Sequence, residues 1–296
     1  QARAAGNVKD GSNLRLVRFD YGLRTGNDIL GGTLEVNNLL GFDSDAITAQ
    51  VIRVNQTSPG ESIDVTVPGT QNAALDAFAM SRGGELFAGF GYDQNNVVGG
   101  AFFASAVGVG AQPAVVFPNG SVGGDLSGAV NSPVDVAITP SDQTFLVNMA
   151  AADTFELFRV ARDVETRQVE QVTNAGVIKN IVGTNIQNIE AIVANPIDGT
   201  LNITGTTGTS AVRELFRVSP ATGTATSLGS LVSNNSLMTD SIKALAYSPD
   251  GLTLSGIQDT EAGDILLTLS PTGNSVAVTI IGPVIVGGQA AEISAI

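Results

Sequence analysis

The chain has 296 residues and a formal net charge of −14, with 14% charged residues and neither cysteine nor histidine. This length suffices for a full hydrophobic core, and the missing residue types exclude disulfides, thiol nucleophiles, a Ser-His-Asp triad and histidine-containing zinc sites. So acidic a surface repels phosphate groups, which argues against nucleic acid and anionic membranes as partners.

Short strands and turns dominate the composition. Hydrophobic residues make up 43% of the chain, glycine alone accounts for 35 residues, and Val, Thr, Asn and Ser are abundant. These residues favour strands and turns over helices. The most apolar stretch, 101–117, is interrupted by Gln112-Pro113 and predicts two strands instead of a membrane span. The sequence therefore predicts an all-β protein without membrane insertion.

Residues 1–30 form an N-terminal arm that does not fit the repeats found in the rest of the chain. Within it, 14–21 predicts one strand and 22–32 a glycine-rich connector. Residues 1–24 contain five basic and two acidic residues, so they carry +3 and leave −17 on the remainder. We expect the arm to mediate self-association through its basic and apolar side chains, which are Arg3, Lys9, Leu14, Arg15, Leu16, Arg18, Phe19 and Tyr21.

Two interpretations of the arm remain open. It packs on its own repeats, or it docks on a neighbouring copy by adding a strand to an exposed sheet edge. The second contact joins two different surfaces, so it is heterologous and propagates as a head-to-tail homopolymer. A basic arm and an acidic body favour such docking.

A strand-and-turn motif recurs along the rest of the chain. It is clearest in Glu-Leu-Phe-Arg-Val at 214–218, which is followed by the turn Ser-Pro-Ala-Thr-Gly at 219–223. Alternation places Leu215 and Arg217 on one face of this strand. Related segments begin at 50, 101, 156, 214 and 265, with spacings of 51, 55, 58 and 51 residues.

A second series of small, apolar strands precedes the copies. Its members begin at 77, 136, 191 and 244, and each ends in a turn such as Ser-Pro-Asp-Gly at 248–251. Each unit therefore has four strands: the small apolar strand, a strand after its turn, the Arg-Val strand, and a last strand after that. The unit is a four-stranded meander of about 50–58 residues. Such repeats predict a β-propeller over residues 31–296, with the small strands innermost.

The two ends of the chain predict how the ring closes. The segment 291–296 matches the inner-strand series, and its missing outer strands are found at 33–40, 50–54 and 62–67. The C-terminal strand then completes the first blade by pairing with N-terminal strands. This arithmetic gives five blades, or six if 14–21 belongs to a further one.

The repeats resemble the blades of bacterial extracytoplasmic propellers of the NHL-like and YVTN-like groups. The resemblance rests on the turn at 248–251 and the motif at 214–223, and it covers residues 33–296. It implies the propeller fold and a secreted or cell-surface protein, and it transfers no catalytic residue, because these blade motifs are structural. A start at Gln1 without methionine fits the removal of an export signal, or trimming.

Four acids lie at similar places in or before the predicted inner strands: Asp76, Asp135, Glu190 and Glu292. Acids that face the axis in this way are candidates for a paired-carboxylate glycosidase, although a chain with no tryptophan and three tyrosines offers few aromatic platforms for a sugar. The alternative is structural: with Lys243 at the matching place, the acids cap a solvated central channel.

Two oxygen-rich loops are weak candidates for a calcium site. Asp43 and Asp45 lie in one loop and Asp93 in the other. Neither matches the spacing of a dedicated calcium loop, and aspartate is also an ordinary turn residue. We therefore expect no cofactor, with calcium as the alternative.

These observations predict a non-enzymatic, extracellular structural protein whose subunits polymerise through the arm into a filament or surface layer. A monomeric propeller that binds a ligand or a protein is the first alternative, and a carboxylate-dependent glycosidase is the second. The arm is the predicted functional element because the repeat leaves it unexplained.

Overall fold

A computed structural model describes strands in the N-terminal part of the chain and nearly all of the C-terminal part. The described residues are 38–43, 50–55, 58, 63–64, 74–80, 86–92, 98–104, 126, 130, 132–162, 169–248, 250–286 and 288–290. Every regular element among them is a β-strand, and this part of the chain has no helix long and apolar enough to cross a membrane. The predicted all-β class is confirmed.

Two three-stranded antiparallel sheets come first. One joins β1, β2 and β3 and the other joins β4, β5 and β6, each in chain order. Their bounds are β1 (Asn38–Asp43), β2 (Gln50–Asn55), β3 (Ile63–Asp64), β4 (Ala74–Met80), β5 (Leu86–Tyr92) and β6 (Val98–Ala104). These strands correspond to those predicted around 50–54, 62–67, 77 and 101, and β1 extends beyond the end expected at 40.

Three complete four-stranded antiparallel meanders follow: blade A (β7–β10), blade B (β12–β15) and blade C (β17–β20). Short strands β11, β16, β21 and β22 lie beyond their outer strands. The bounds are β7 (Pro133–Ile138), β8 (Thr144–Ala151), β9 (Thr154–Arg162), β10 (Val169–Val177), β11 (Lys179–Asn180), β12 (Ile186–Ala194), β13 (Leu201–Thr207), β14 (Glu214–Val218), β15 (Thr224–Ser233), β16 (Ser236–Leu237), β17 (Ile242–Tyr247), β18 (Leu254–Gln258), β19 (Ile265–Thr272), β20 (Ser275–Pro283), β21 (Ile285–Val286) and β22 (Gln289–Ala290).

Consecutive inner strands adjoin one another: β4 lies beside β7, β7 beside β12, and β12 beside β17. Along β7, Ala137 packs in the core shared with blade B, whereas Val136 and Ile138 pack in the core shared with the sheet of β4. A strand buried on both faces requires a continuous apolar run, which explains the small-residue series in the sequence. This arrangement of four-stranded meanders is a β-propeller, and the number of blades stays a prediction.

Outer strands also join consecutive blades. β11 pairs in parallel with β15 at Lys179↔Thr224, and the end of β15 pairs in parallel with β20 at Ser230↔Ser275. Beyond β20, β21 lies next to β3. The end of blade C therefore lies beside the first sheet of the chain. The closing strand predicted at 291–296 lies outside the described residues.

The motif at 214–218 is β14, the third strand of blade B. Leu215 and Phe216 are buried and Arg217 is exposed. Leu215 packs in the core shared with blade C and Phe216 in the core shared with blade A, so the predicted alternation is confirmed. In the next turn Gly223 has a φ of 67°, and a Cβ there would lie 3.0 Å from carbonyl oxygens of β10. This turn needs glycine for both reasons.

Candidate functional site

Many of the residues proposed from the sequence lie outside the described part of the chain. They are Arg3, Lys9, Leu14, Arg15, Leu16, Arg18, Phe19, Tyr21, Asp45, Asp93 and Glu292. Asp43 ends β1 and Asp76 lies within β4, where only the backbone is described. Among the described residues, no three Asp or Glu side chains are grouped so that they could hold a metal ion. The calcium hypothesis therefore stays a prediction.

Each inner strand from β4 to β17 carries a β-bulge or irregularity near its start. The bulged positions are Asp76 in β4, Val134 in β7, 188–190 in β12 and Lys243 in β17. The residue after each bulge is buried, and these residues are Ala77, Asp135, Ala191 and Ala244. Asp135 therefore occupies the position that is alanine in the other inner strands. The sequence predicted that it aligns with Asp76 and Glu190, but the structure places it one position after them.

Asp135 joins blade A to blade B. Its Oδ2 accepts the N–H of Ile192 at 2.8 Å, and its Oδ1 accepts the N–H of Val136 at 2.8 Å. The residue is 5% exposed, so it lies between blades and not in the solvated channel expected from the sequence. Burial raises the pKa of Asp135 well above its usual range, and the two N–H donors oppose this shift.

Glu190, at the end of the bulge in β12, pairs with Arg213. The distance from Arg213 Nη2 to Glu190 Oε1 is 3.3 Å, and the Arg213 side chain is only 9% exposed. Arg213 Nη1 also donates to the carbonyl of Asn188, which has a φ of 50° within the bulge. Burial raises the pKa of Glu190, and the Arg213 guanidinium opposes the change. The bulge thus positions both acceptors for one buried guanidinium.

Lys243 forms the corresponding pair in blade C. Its Nζ lies 2.9 Å from Oδ1 of Asp264, which is fully buried, and 3.8 Å from Oδ1 of Asp259. The charges of Lys243 and Asp259 also act on Glu190 of blade B. The two ion pairs lie within their own blades, and charge acts between blades B and C only at a distance. We call the set the inter-blade charge network: Glu190, Arg213, Lys243, Asp259 and Asp264.

Sequence reasoning missed Arg213 and Asp264. Both lie in loops between a second and a third strand, where no apolar period marks the position. The sequence did contain one indication of both residues. Arg213 comes directly before β14 and Asp264 directly before β19, which is the same position in each repeat. Glu190 and Lys243 correspond in the same way at the bulges of their inner strands. The network therefore contains two equivalent pairs in adjacent blades, with Asp259 as a second acid near Lys243.

Comparison with known proteins shows a likeness of fold. No protein-family model matches the chain, and no curated protein matches it. The chain is similar to a protein of unknown function from Bacteroides thetaiotaomicron, with a TM-score of 0.50 and 12% identity over 87% of this chain and 64% of that one. A chain of the nidogen/laminin complex has a TM-score of 0.47 and 13% identity over 84% and 80%.

TolB from Acinetobacter baumannii has a TM-score of 0.43 and 14% identity over 83% of this chain and 52% of TolB. This chain thus spans only part of the length of each of these proteins. At such identities the likeness concerns the fold alone. The family suggested by the repeats, and the function, therefore remain proposals.

Proposed function

We propose that this chain is an extracellular, non-catalytic β-propeller that acts by binding and assembles head to tail through its N-terminal arm. The main supporting observation is that the two described carboxylates at the inner strands, Asp135 and Glu190, are engaged in structural contacts. Asp135 accepts two backbone N–H groups, and Glu190 is paired with Arg213. Because one carboxylate joins two blades and the other is paired with a buried guanidinium, these acids favour a scaffold over a site with two free catalytic acids.

Charge supports self-association through the arm. Residues 1–24 carry +3 and the remainder carries −17, so an arm is attracted to the body of another copy. The glycine-rich composition of 22–32 is typical of a connector that lets a segment reach a neighbouring copy. Because arm and body are different surfaces, each docked copy leaves a further arm to continue the assembly.

The test compares the full chain with a variant that lacks residues 1–30. Light scattering after size exclusion should show full-length assemblies well above the 30.1 kDa subunit, whereas the shortened chain should elute as a monomer. Negative-stain microscopy of the same samples should show filaments or sheets only for the full chain. Assembly should weaken with salt, because the screening length falls from about 30 Å at 0.01 M to about 3 Å at 1 M.

A pair of matched variants separates docking by the predicted strand from general charge. Arg18→Glu should reduce assembly, whereas Arg24→Glu makes the same charge change in the connector and should reduce it less. A full chain that stays at monomer mass in every salt concentration overturns self-assembly. Assemblies that persist after removal of residues 1–30 overturn the role of the arm in assembly.

Two alternatives have their own outcomes. A monomeric full chain that retains a binding partner supports the ligand- or protein-binding propeller. A glycosidase built on Asp135 and Glu190 is disfavoured because Asp135 is buried and hydrogen-bonded. If hydrolysis of a glycan by the natural chain is abolished in Glu190→Gln, the enzyme alternative replaces the binding proposal.

A further inference from the structure

A groove crosses blade B between the turn at 195–200 and the turn at 219–223. Its volume is about 410 Å³, within the range of about 300–1,000 Å³ that is typical of small-ligand sites. The groove lies at the opposite end of the strands from the inter-blade charge network. Its polar lining consists of Asp198, Thr200, Arg217, Ser219, Thr224 and Thr226.

Asp198 presents an oriented, ionised carboxylate to this groove. Its Oδ1 accepts the N–H of Thr200 at 2.9 Å. This backbone hydrogen bond is the main cause that lowers the pKa of Asp198, and the charge of Arg217 contributes. Because the side chain is otherwise exposed, its remaining acceptor capacity is available to a ligand.

Arg217 provides the complementary donors. It is exposed, and its side chain forms no ion pair or hydrogen bond with any residue that the structure describes. Its charge acts on Asp198 across the groove although the two groups are not in contact. A guanidinium has five N–H donors in a rigid plane, so the groove offers donors on one side and acceptors on the other.

Hydroxyl groups complete the lining. The Thr222 hydroxyl donates to Oγ1 of Thr224 at 2.9 Å, which leaves the Thr224 hydroxyl proton free to be donated. Ser219 and Thr226 add groups that both donate and accept. Pro220 adds an apolar surface at the same place. Such a mixture fits a ligand that carries several hydroxyls and some C–H surface.

The other complete blades do not reproduce this arrangement. In blade A, Asp142 holds the place of Asp198, but its carboxylate pairs with Arg162 at 3.9 Å. In blade C, Thr268 replaces the arginine of the third strand. The arginine and the aspartate are therefore both unpaired only in blade B among the three complete blades described.

We propose that this groove binds a neutral saccharide, with Arg217 donating to one sugar hydroxyl and Asp198 accepting from the adjacent one. One positive and one negative side chain balance each other, so a neutral ligand is favoured over an anion or a cation. Sugar hydroxyls donate and accept at once, which matches a lining of an acid, a guanidinium and hydroxyls. The inference goes beyond self-assembly, since it does not involve the arm.

The test begins with the full chain on an array of defined neutral and acidic glycans, followed by calorimetric titration of the best neutral one. Arg217→Ala and Asp198→Ala should each weaken binding at least about tenfold, as expected for loss of a hydrogen bond to a charged group. Arg159→Ala is the matched control, because Arg159 is the exposed arginine of the same motif in blade A. It should leave the affinity unchanged.

Three outcomes overturn the inference. The first is that no neutral glycan is retained. The second is that Arg159→Ala weakens binding as much as Arg217→Ala. The third is that an acidic glycan binds tighter than every neutral one and binds still tighter after Asp198→Ala, which identifies an anion site. Removal of residues 1–30 should not change glycan binding, so this inference and self-assembly can fail separately.

Discussion

Blades B and C place an ion pair at equivalent positions with the charges reversed. In blade B the inner-strand bulge supplies the acid, Glu190, and the residue before the third strand supplies the base, Arg213. In blade C the bulge supplies the base, Lys243, and the residue before the third strand supplies the acid, Asp264. Where this place holds charged residues, their signs are complementary, and the fold does not prescribe which strand carries which sign.

Blade A joins its neighbour differently. Its bulge holds the apolar Val134, and the next residue, Asp135, takes the place of Ala191 and Ala244. One buried carboxylate there accepts a backbone N–H of blade B. At the start of the inner strand, blades B and C thus use an ion pair within the blade, whereas blade A uses one carboxylate that bonds to the next blade, and substitutions can distinguish these solutions.

The largest effect is expected from Lys243→Glu. It places a carboxylate beside the buried carboxylate of Asp264 and removes the ammonium that pairs with it. Breaking such a pair should lower the free energy of unfolding by about 3–5 kcal/mol, as measured by urea denaturation.

A charge swap tests whether the pair is reversible in sign. Lys243→Glu combined with Asp264→Arg gives blade C the charge order of blade B, and it should recover much of the lost stability. The apolar pair Lys243→Met with Asp264→Leu controls for the size of the new side chains. A swapped variant no more stable than Lys243→Glu alone would contradict the equivalence of the two blades.

Asp135→Ala should have the next largest effect. It removes the acceptor of the Ile192 N–H and should cost about 2–3 kcal/mol in urea denaturation, because a hydrogen bond to a charged group is lost in a buried place. The reciprocal variant, Ala191→Asp, puts a carboxylate into the apolar core between blades B and C and should also destabilise. If Asp135→Ala is neutral, the carboxylate does not hold the blades together.

A smaller effect is expected at the outer junction of blades B and C. Gly229 has a φ of 130°, and a Cβ there would lie 2.6 Å from the backbone of Asn274 and Ser275. Gly229→Ala should cost about 2 kcal/mol because the parallel pairing of β15 and β20 must shift. Gly273→Ala is the control, since Gly273 also has a positive φ but no neighbour within 4 Å, and it should cost about 1 kcal/mol. Equal losses would show that the contact does not matter.

The smallest effect is a dependence of stability on pH. Because burial raises the pKa of Asp135, the folded chain binds this proton more tightly than the unfolded chain, in which an aspartate has a pKa of about 3.9. The stabilising contribution is present below that value and is lost as pH rises through the folded pKa. Asp135→Asn should flatten this part of the profile in urea denaturation. An unchanged profile would show that Asp135 is not its source.

Local chemistry made much of the fold predictable. The turns at 139–143, 195–200 and 248–253 end inner strands whose starts were expected at 136, 191 and 244, and the structure begins these strands a few residues earlier. The bulges account for that difference, because a bulge breaks the alternation on which strand prediction depends. Counting back from Pro140 and Pro196 would have aligned Asp135 with Ala191 and separated it from Glu190.

By itself, the sequence determined the all-β class, the length of the repeating unit and the four-stranded meander, because side-chain alternation and turn residues act over a few positions. Only the tertiary structure decided what the charged side chains do. Asp135 accepts a hydrogen bond from the N–H of Ile192, which is 57 positions away on the next blade. Arg213 pairs with Glu190, which lies at the bulge of β12. Burial and pairing of a charge depend on residues that are distant in the sequence, and no local pattern records which residues those will be.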